Sequence, residues 1–320
     1  MLRVGACLSL TGRYARFGVQ AAAGLEAWRR LDGDAELVVE DDASDPACLA
    51  SRIVGLAPRC DLLLGPYSTR LMRAAVRALA DRDVLLWNHG GSGDDVEAAR
   101  PGRVVSVPAP ASRYAEPFLR LLAGQRERVP LRIVTGPGAF GRQVAAGGEA
   151  FARRLGLAST RDAPPAGAAW DLLSAGAFGD DLAAVRRALA LTRPPRNACS
   201  VAAGVHEFGR AVDRPEGIFG VAQWFPGGGG AVDVGPGEAR FLAACPAPDY
   251  PAVQVAAAAA LAKRCAELAG TVEAGDLWSA AAALDTRTLL GRFRIDGRGV
   301  QVGHETVLVR WTAADLGRAQ

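Results

Sequence analysis

The chain is 320 residues long, which is what two compact lobes of roughly 150 residues require. Half of it is apolar and 22% is charged, which excludes intrinsic disorder, collagen-like repeats and coiled coil. Its 37 basic residues, all arginine except Lys263, are scattered among 34 acids for a net charge of +3, so no basic run marks a polyanion-binding face and no nucleic-acid partner is expected.

From Leu2 onward, short apolar runs alternate with helical patterns. Strands are predicted at 2–10, 36–41, 61–65, 83–88 and 103–107, with helices at 18–31, 46–57 and 69–81 between them. Asp45-Pro46 is a helix start signal, the aspartate capping free backbone N–H groups and the proline taking the first helical position. Strand and helix repeated in this way build a parallel sheet with helices on both faces. The pattern restarts with strands at 131–135, 171–175 and 198–203 and helices at 141–155 and 180–191. A strand at 218–224 runs into the glycines of 227–230, read as a flexible crossing rather than a motif. Helices at 251–269 and 276–284 follow, and 291–311 is predicted to be a hairpin turning at Gly297-Arg298-Gly299. The expected fold class is α/β, two doubly wound parallel-sheet lobes joined by a multi-strand hinge with a cleft between them. Lobe 1 is drawn from 1–108 plus 234–300 and lobe 2 from 109–233 plus 301–320.

No stretch is long and apolar enough to cross a bilayer; the longest, Ala252 to Ala262, is broken by Gln254 and ended by Lys263 and Arg264. No leader pattern precedes the strand at Leu2, which reads either as a cytosolic chain or as numbering that starts after a removed leader. The six cysteines, at 7, 48, 60, 199, 245 and 265, show no CxxC and no metal-ligand spacing. Cys7 and Cys199 fall in apolar strands and read as buried free thiols, which leans toward a reducing compartment.

In open parallel sheets a ligand binds outside the carboxyl ends of the strands, where strand order reverses. In the first lobe the loops at those ends are Thr11–Phe17, Gly65–Thr69 and Asn88–Ser92. Gly65-Pro66-Tyr67-Ser68-Thr69 and Gly90-Gly91-Ser92 each place glycine and a hydroxyl before a predicted helix, an arrangement suited to a carboxylate. Singly, Ser68, Thr69 and Ser92 read as helix caps; two such loops at neighbouring strand ends bring the ligand reading level with that one. Gly136-Pro137-Gly138-Ala139-Phe140-Gly141 matches GxGxxG between a strand and a helix, the context of a dinucleotide fingerprint. Against it, Pro137 removes a donor beside the pyrophosphate position, and Ser159–Pro165, where the next strand would present an acid, is loop-like. Asp41, Asp42 and Asp45 read as a strand end and a cap before they read as a metal or phospho-acceptor site. His89, His206 and His304 share no metal-site spacing, no GxSxG, HExxH or P-loop occurs, and no cofactor is expected.

With these loops in view the chain resembles the leucine/isoleucine/valine-binding family of solute-binding proteins, which have the type I periplasmic binding fold of ABC importers. The matching stretches include VGACLSLTGRYARFGVQAAAGLEAW (4–28), VVEDDASDPACLASRIV (38–54), LLLGPYSTRLMRAAV (62–76), DVLLWNHGGSGDDV (83–96), EGIFGVAQWFP (216–226), PDYPAVQVAAAAALA (248–262) and 284–311, in order along nearly the whole chain. The resemblance implies that two lobes close on an amino acid. It implies that the ligand carboxylate is held by the loop hydroxyl at Thr69 and by Gly90, Gly91 and Ser92; Ser68, from the loop reading above, is a further candidate. Aromatic contacts would come from Phe17 on the first loop and from Phe140 and Phe178 on the second lobe. The second-lobe loop Gly204–Glu207 carries the acid for the amino group in such proteins; here Val205 or His206 aligns there, with Glu207 one place off, and the lobe is shortened around Ala158–Ala169.

The expected function is therefore a non-enzymatic receptor for a small carboxylate-bearing metabolite, most simply an amino acid, delivered to an ABC permease. Two alternatives stay open: a cytosolic sensor of the same fold that resembles the amide-sensing regulators, and a nucleotide-dependent oxidoreductase using residues 136–141. The first lets closure act on a partner protein; the second requires a nicotinamide site. A periplasmic or cell-surface location goes with the transporter reading, a cytoplasmic one with the sensor. Trp224 and Tyr250 are open between core and cleft roles.

Overall fold

The computed structural model describes residues 1–32, 34–163, 167–228 and 230–312. Parts of three segments discussed above, 164–166, Gly229 and 313–320, lie outside them. The chain divides into two compact units, one made of Met1–Pro110 and Pro226–Glu305, the other of Ala111–Phe225 and the segment from Thr306 onward. It therefore passes between units at 110/111, 225/226 and 305/306, a few residues from the 108/109, 233/234 and 300/301 read from sequence. Residues 226–233 go with unit 1 because the Gly227 amide donates to Glu238 (2.6 Å) and the Asp233 and Val234 amides donate to the Arg287 carbonyl (2.8 and 3.1 Å).

Unit 1 begins with β1 (Leu2–Leu8), α1 (Ala15–Asp32), β2 (Ala35–Asp41), α2 (Pro46–Leu56), β3 (Leu62–Leu64), α3 (Thr69–Ala78), β4 (Leu86–Asn88) and β5 (Val104–Ser106). The strands form one parallel sheet in the order β2-β1-β3-β4-β5, with Leu2–Leu8 paired to Ala35–Asp41 on one side and Val4–Ala6 to Leu62–Leu64 on the other. Strand order reverses between β1 and β3. Leu49, Ile53, Leu71, Met72, Val76 and Leu86 pack on one face of this sheet. Asp45 caps α2 as expected, accepting the Ala47 and Cys48 amides at 2.9 Å with Pro46 behind it.

Unit 2 follows with α4 (Glu116–Ala123), β6 (Leu131–Thr135), α5 (Ala139–Arg154), β7 (Ser159–Thr160), β8 (Asp171–Ala175), α6 (Phe178–Leu189), β9 (Ala198–Ser200), α7 (Phe208–Ala211) and β10 (Phe219–Ala222). The chain then supplies unit 1 with α8 (Glu238–Ala244), α9 (Tyr250–Ala269), α10 (Ala274–Ala283), β11 (Thr286–Thr288) and β12 (Gly291–Phe293), and returns to unit 2 as β13 (Val307–Arg310). The unit 2 sheet runs β13-β10-β9-β8-β6-β7, parallel except for β13. Counted along the chain, its parallel strands repeat the order of unit 1, with the reversal between β6 and β8. A helix apolar all round must be buried, and α9 is: Pro251–Ala262 is buried throughout, against α1, α10, β3 and β4. Among the described residues, no helix is long and apolar enough to cross a membrane.

Four sequence readings change. The turn at Gly297-Arg298-Gly299 forms as expected, with the Asp296 amide donating to the Val300 carbonyl at 2.9 Å, but the 291–311 hairpin around it is cut short. Instead β11 and β12 pair antiparallel, Ile295 and Gln301 make a single bridge, and β13 pairs with β10 in the other unit. The cause is local: Asp296 accepts the Arg298 amide (2.9 Å) and the Val300 amide (3.1 Å), closing a tight turn that leaves no second long strand arm. Residues 201–203 leave β9 for a 3₁₀ turn at Ala202–Gly204. Ser159–Thr160, read as loop, is a two-residue edge strand beside β6. Finally, no helix follows Gly90–Ser92; consecutive turns do, through Val96→Gly93, Ala98→Asp95 and Arg100→Glu97 amide bonds.

All six cysteines are free thiols, with Cys7 and Cys199 buried in the β1 and β9 strands. Two glycines set a stability prediction of opposite sign. A Cβ on Gly24 in α1 would lie 2.1 Å from the Ala252 carbonyl oxygen of α9, whereas one on Gly55 in α2 meets nothing within 4 Å. Gly24→Ala should lower stability by about 1–3 kcal/mol or more through overpacking, and Gly55→Ala should raise it by about 0.5–1 kcal/mol. Chemical denaturation of both variants checks the pair.

Candidate functional site

Parallel strands end in loops whose amides have no strand partner, and in unit 1 buried or half-buried side chains take them. Asp41, at the end of β2, accepts the amides of Leu10 (2.9 Å), Thr11 (3.2 Å) and Ala43 (2.8 Å) and the Thr11 hydroxyl (2.7 Å). Burial works to raise its pKa, but these hydrogen bonds win and hold it below the usual carboxylate range. Asp42 next to it is fully buried and accepts from Ser9 Oγ (2.6 Å) and the Ser44 amide (2.8 Å). The two aspartates are thus structural holders of the β1–α1 and β2–α2 loops. Among the described residues no group of His, Cys, Asp or Glu is placed to hold a metal ion.

The β1–α1 loop, so fixed, presents an aromatic layer. Phe17 stacks on Tyr67 with centroids 4.2 Å apart and rings 14° from parallel. The Arg16 guanidinium lies 4.2 Å from the Phe17 centroid, and Arg13 lies 4.8 Å from that of Tyr14. Tyr14 and Tyr250 tilt against Tyr67 at 6.1 and 6.5 Å, and the Tyr67 and Tyr250 hydroxyls hydrogen-bond to each other. This cluster straddles the carboxyl ends of β1 and β3, the point in the sheet where strand order reverses. Sequence reasoning named Phe17 and left Tyr250 open, and it missed Tyr67 as an aromatic member. The signal for Tyr67 was present: an aromatic two residues after Gly65 in a strand-end loop.

Ser68 and Thr69 open α3 at the same place. Ser68 is the helix cap, accepting the Leu71 amide at 3.3 Å, and holds φ at +84°, a conformation costing a non-glycine residue of order 1–3 kcal/mol. Its cap role is therefore shown by geometry. Thr69 is buried in the first helical turn, with room for its Cγ2 made by Gly93, where a Cβ would sit 2.2 Å from it. The neighbouring loop is drawn tight against this one: Ser68 N–H donates to the Gly90 carbonyl at 3.0 Å, and a Cβ on Gly90 would lie 2.7 Å from Tyr67 Cα. The amides of Gly90 and Gly91 donate to Asn88 Oδ1 at 3.2 and 2.8 Å. These two glycines thus shape the loop. Ser92 follows, buried at 7% exposure.

In unit 2, Phe140 and Phe178 both sit in the first turn of their helices, α5 and α6, at the point where that sheet's strand order reverses. Phe140 packs edge-on against Tyr114 at 5.3 Å, and Phe178 lies on the apolar group of Val185, Ala202, Phe208 and Trp311. Glu207 is half-buried just before the short helix α7. Asp181, a second acid near the loop, is fully buried and accepts from Ser174 Oγ (2.7 Å) and the Ala202 amide (2.9 Å). Burial pushes its carboxyl up to about 7 despite those bonds, and it holds the 202–204 turn from which the Glu207 loop leaves. Two of the three glycines of 136–141 are explained by packing, while a Cβ on Gly138 meets nothing within 4 Å. A Cβ on Gly136 would lie 2.7 Å from Gly176 Cα, and one on Gly141 would lie 2.5 Å from the Ala175 carbonyl oxygen. Trp224 is buried with no partner for its indole N–H.

Residues 1–172, more than half the chain, match the family model described as periplasmic binding protein. The chain belongs to this family. No curated protein sequence matches it. Among solved structures, it is similar to a leucine binding protein, LivK, from Thermotoga maritima (14% identity, 98% of this chain and 96% of that one covered, TM-score 0.80). It is also similar to an ABC transporter solute binding protein from R. palustris in complex with 4-hydroxybenzoate (17%, 97% and 92%, TM-score 0.79). A third is an ABC transporter substrate-binding protein from Desulfitobacterium hafniense in complex with Leu (15%, 98% and 98%, TM-score 0.78). At these identities the structures establish the fold, type I periplasmic binding protein with parallel-sheet lobes. With the family match, the chain is a solute-binding receptor.

The histidine next to the loop gives a pH prediction. His89 is fully buried, and burial pulls its pKa from 6.5 down to about 4. Between those values the unfolded chain takes up a proton that the folded chain does not, so His89 removes up to roughly 3 kcal/mol of stability as pH drops from 6.5 toward 4. Asp181, pushed up to about 7, works the other way over the same interval, because the folded chain binds its proton first. The melting temperature of His89→Gln should therefore rise relative to wild type as pH falls from 6.5 toward 4. A difference that stays constant over that interval would show that His89 does not act in this way.

Proposed function

We propose that the chain is a non-enzymatic receptor for a small carboxylate-bearing metabolite, most simply an α-amino acid, and that its loaded form is presented to an ABC permease in the periplasm or at the cell surface. The observation that carries this reading is the amino end of α3 at the strand-order reversal of unit 1. There Ser68 and Thr69, first-turn N–H groups and the positive helix end come together beside the Phe17–Tyr67 layer. Thr69 and Ser92 are the proposed carboxylate hydroxyls. Phe17, Phe140 and Phe178 are the proposed apolar contacts, and Glu207 is the proposed partner for an ammonium group.

The family and the leucine-bound relative support an amino acid. A second reading, an aromatic monocarboxylate, is favoured by the Phe17–Tyr67 stack with its paired tyrosine hydroxyls, and a relative of the same fold is named as a complex with 4-hydroxybenzoate. The two differ in the need for an ammonium partner, because desolvating an unpaired ammonium costs several kcal/mol.

Calorimetric titration with L-leucine, its des-amino analogue 4-methylpentanoate, and 4-hydroxybenzoate separates them. On the amino-acid reading leucine binds, 4-methylpentanoate does not, and Glu207→Gln weakens leucine. On the second reading 4-hydroxybenzoate binds and Glu207→Gln changes nothing. For whichever probe binds, Thr69→Ala and Ser92→Ala should each cost roughly 1.5–3 kcal/mol, ten- to over a hundred-fold in affinity. Wild-type affinity in both variants would remove the two hydroxyls from the site.

A further inference from the structure

A buried chain of hydrogen bonds runs from a carboxylate to the Gly90–Gly91 loop. Glu97, in the turns after Ser92, is 4% exposed. Its Oε1 accepts the hydroxyl of Ser106, which ends β5, while its Oε2 is buried with no hydrogen-bond partner. Ser106 Oγ in turn accepts from Asn88 Nδ2 at 2.7 Å, and the same nitrogen donates to the Gly91 carbonyl at 2.7 Å. Asn88 Oδ1 then accepts the Gly91 and Gly90 amides at 2.8 and 3.2 Å.

The direction of each bond depends on the one before it. An ionised Glu97 only accepts, so Ser106 must donate to it and offer its lone pairs to the Asn88 amide nitrogen. That orients the Asn88 carbonyl toward Gly90 and Gly91. A Glu97 that has taken a proton from solvent carries it on Oε2, the oxygen without a partner, and Oε1 remains only as a neutral acceptor. The Ser106 bond then loses its charge assistance, and the hold of Ser106 on Asn88 weakens with it.

We infer that Glu97 is a positioning residue that sets the geometry of the Gly90–Gly91 loop through Ser106 and Asn88 and loosens it on protonation. The inference rests on the reading of this loop as part of the ligand site, where the loosening would make binding depend on pH.

The charged surroundings single out Glu97 as the group that titrates. Burial first, then repulsion from Asp296 and Asp94, push it up to about 7 against the Ser106 bond. Two neighbours are shifted the other way. Asp296 is ion-paired with Arg298 at 2.9 Å and lies below the usual carboxylate range, because its hydrogen bonds to Arg298 and Val300 outweigh burial. His89, at the head of the loop, lies near 4.

The test uses the full chain without ligand. The Gly90 and Gly91 backbone amides and the Asn88 side-chain amide are followed by ¹H–¹⁵N NMR across neutral pH. The expected result is a shared titration with a midpoint of about 7 in wild type, absent in the isosteric Glu97→Gln and absent in Ser106→Ala, which cuts the chain in the middle. Flat shifts in wild type would overturn the inference, and so would a titration that survives in either variant. A Glu97 that acted only through the field of its charge would keep the titration in Ser106→Ala. Because these signals need no ligand, their loss counts against the relay, whereas absence of binding by the probes above counts against the ligand reading.

Discussion

A parallel strand cannot turn straight back into its sheet, so each one ends in a loop whose backbone groups lie beyond the ladder and must find other partners. Much of what is distinctive in this chain follows from how those groups are satisfied. Asp41 takes three amides and a hydroxyl from two loops, Asn88 takes two amides and gives one hydrogen bond to a carbonyl, and Asp181 holds the 202–204 turn. Asp41 and Asn88 end β2 and β4, Asp181 lies in the first turn of α6, and each is an acid or amide because these carry several lone pairs on one rigid group. Loops held this way keep a fixed shape although they lie outside the strand ladder.

Both units use the same strand order, reversing between the first and third parallel strands of each sheet. The reversal sends the two flanking connections to opposite faces and leaves the loops at that point apart from one another. The two units fill the position differently. In unit 1 it carries the Phe17–Tyr67 stack and the capped start of α3. In unit 2 it is closed by glycine against glycine, Gly136 on Gly176, with Phe140 and Phe178 one turn further on. The first and last glycines of a motif that on spelling alone resembles a nucleotide fingerprint are thereby accounted for by backbone packing.

The aromatic layer and the acids of the two units pull the ligand question in different directions. Arginine over Phe17 and paired tyrosine hydroxyls make a flat, polar-edged platform on unit 1. Glu207 on unit 2 is half-buried, while Asp181, the acid closest to it in function as a carboxylate, is wholly committed to the loop it holds.

The sequence by itself determined the α/β class, the order of strands and helices, the two-lobed organisation it led one to expect, and the family. Those features are written in local periodicity, in caps such as Asp45-Pro46 and in motifs that survive in order along the chain. It also located Phe17, Ser68, Thr69 and the 90–92 loop at strand ends, because a loop after a parallel strand is recognisable from its neighbours alone. Only the tertiary structure decided where amides and hydroxyls are spent. That Asn88 consumes the Gly90 and Gly91 amides, that Tyr67 joins Phe17, and that β13 leaves a presumed hairpin to pair with β10 all depend on partners distant in sequence. A hydrogen bond or a ring stack is a property of two groups brought to within a few ångströms, and neither residue alone carries a sign of which partner the fold will bring to it.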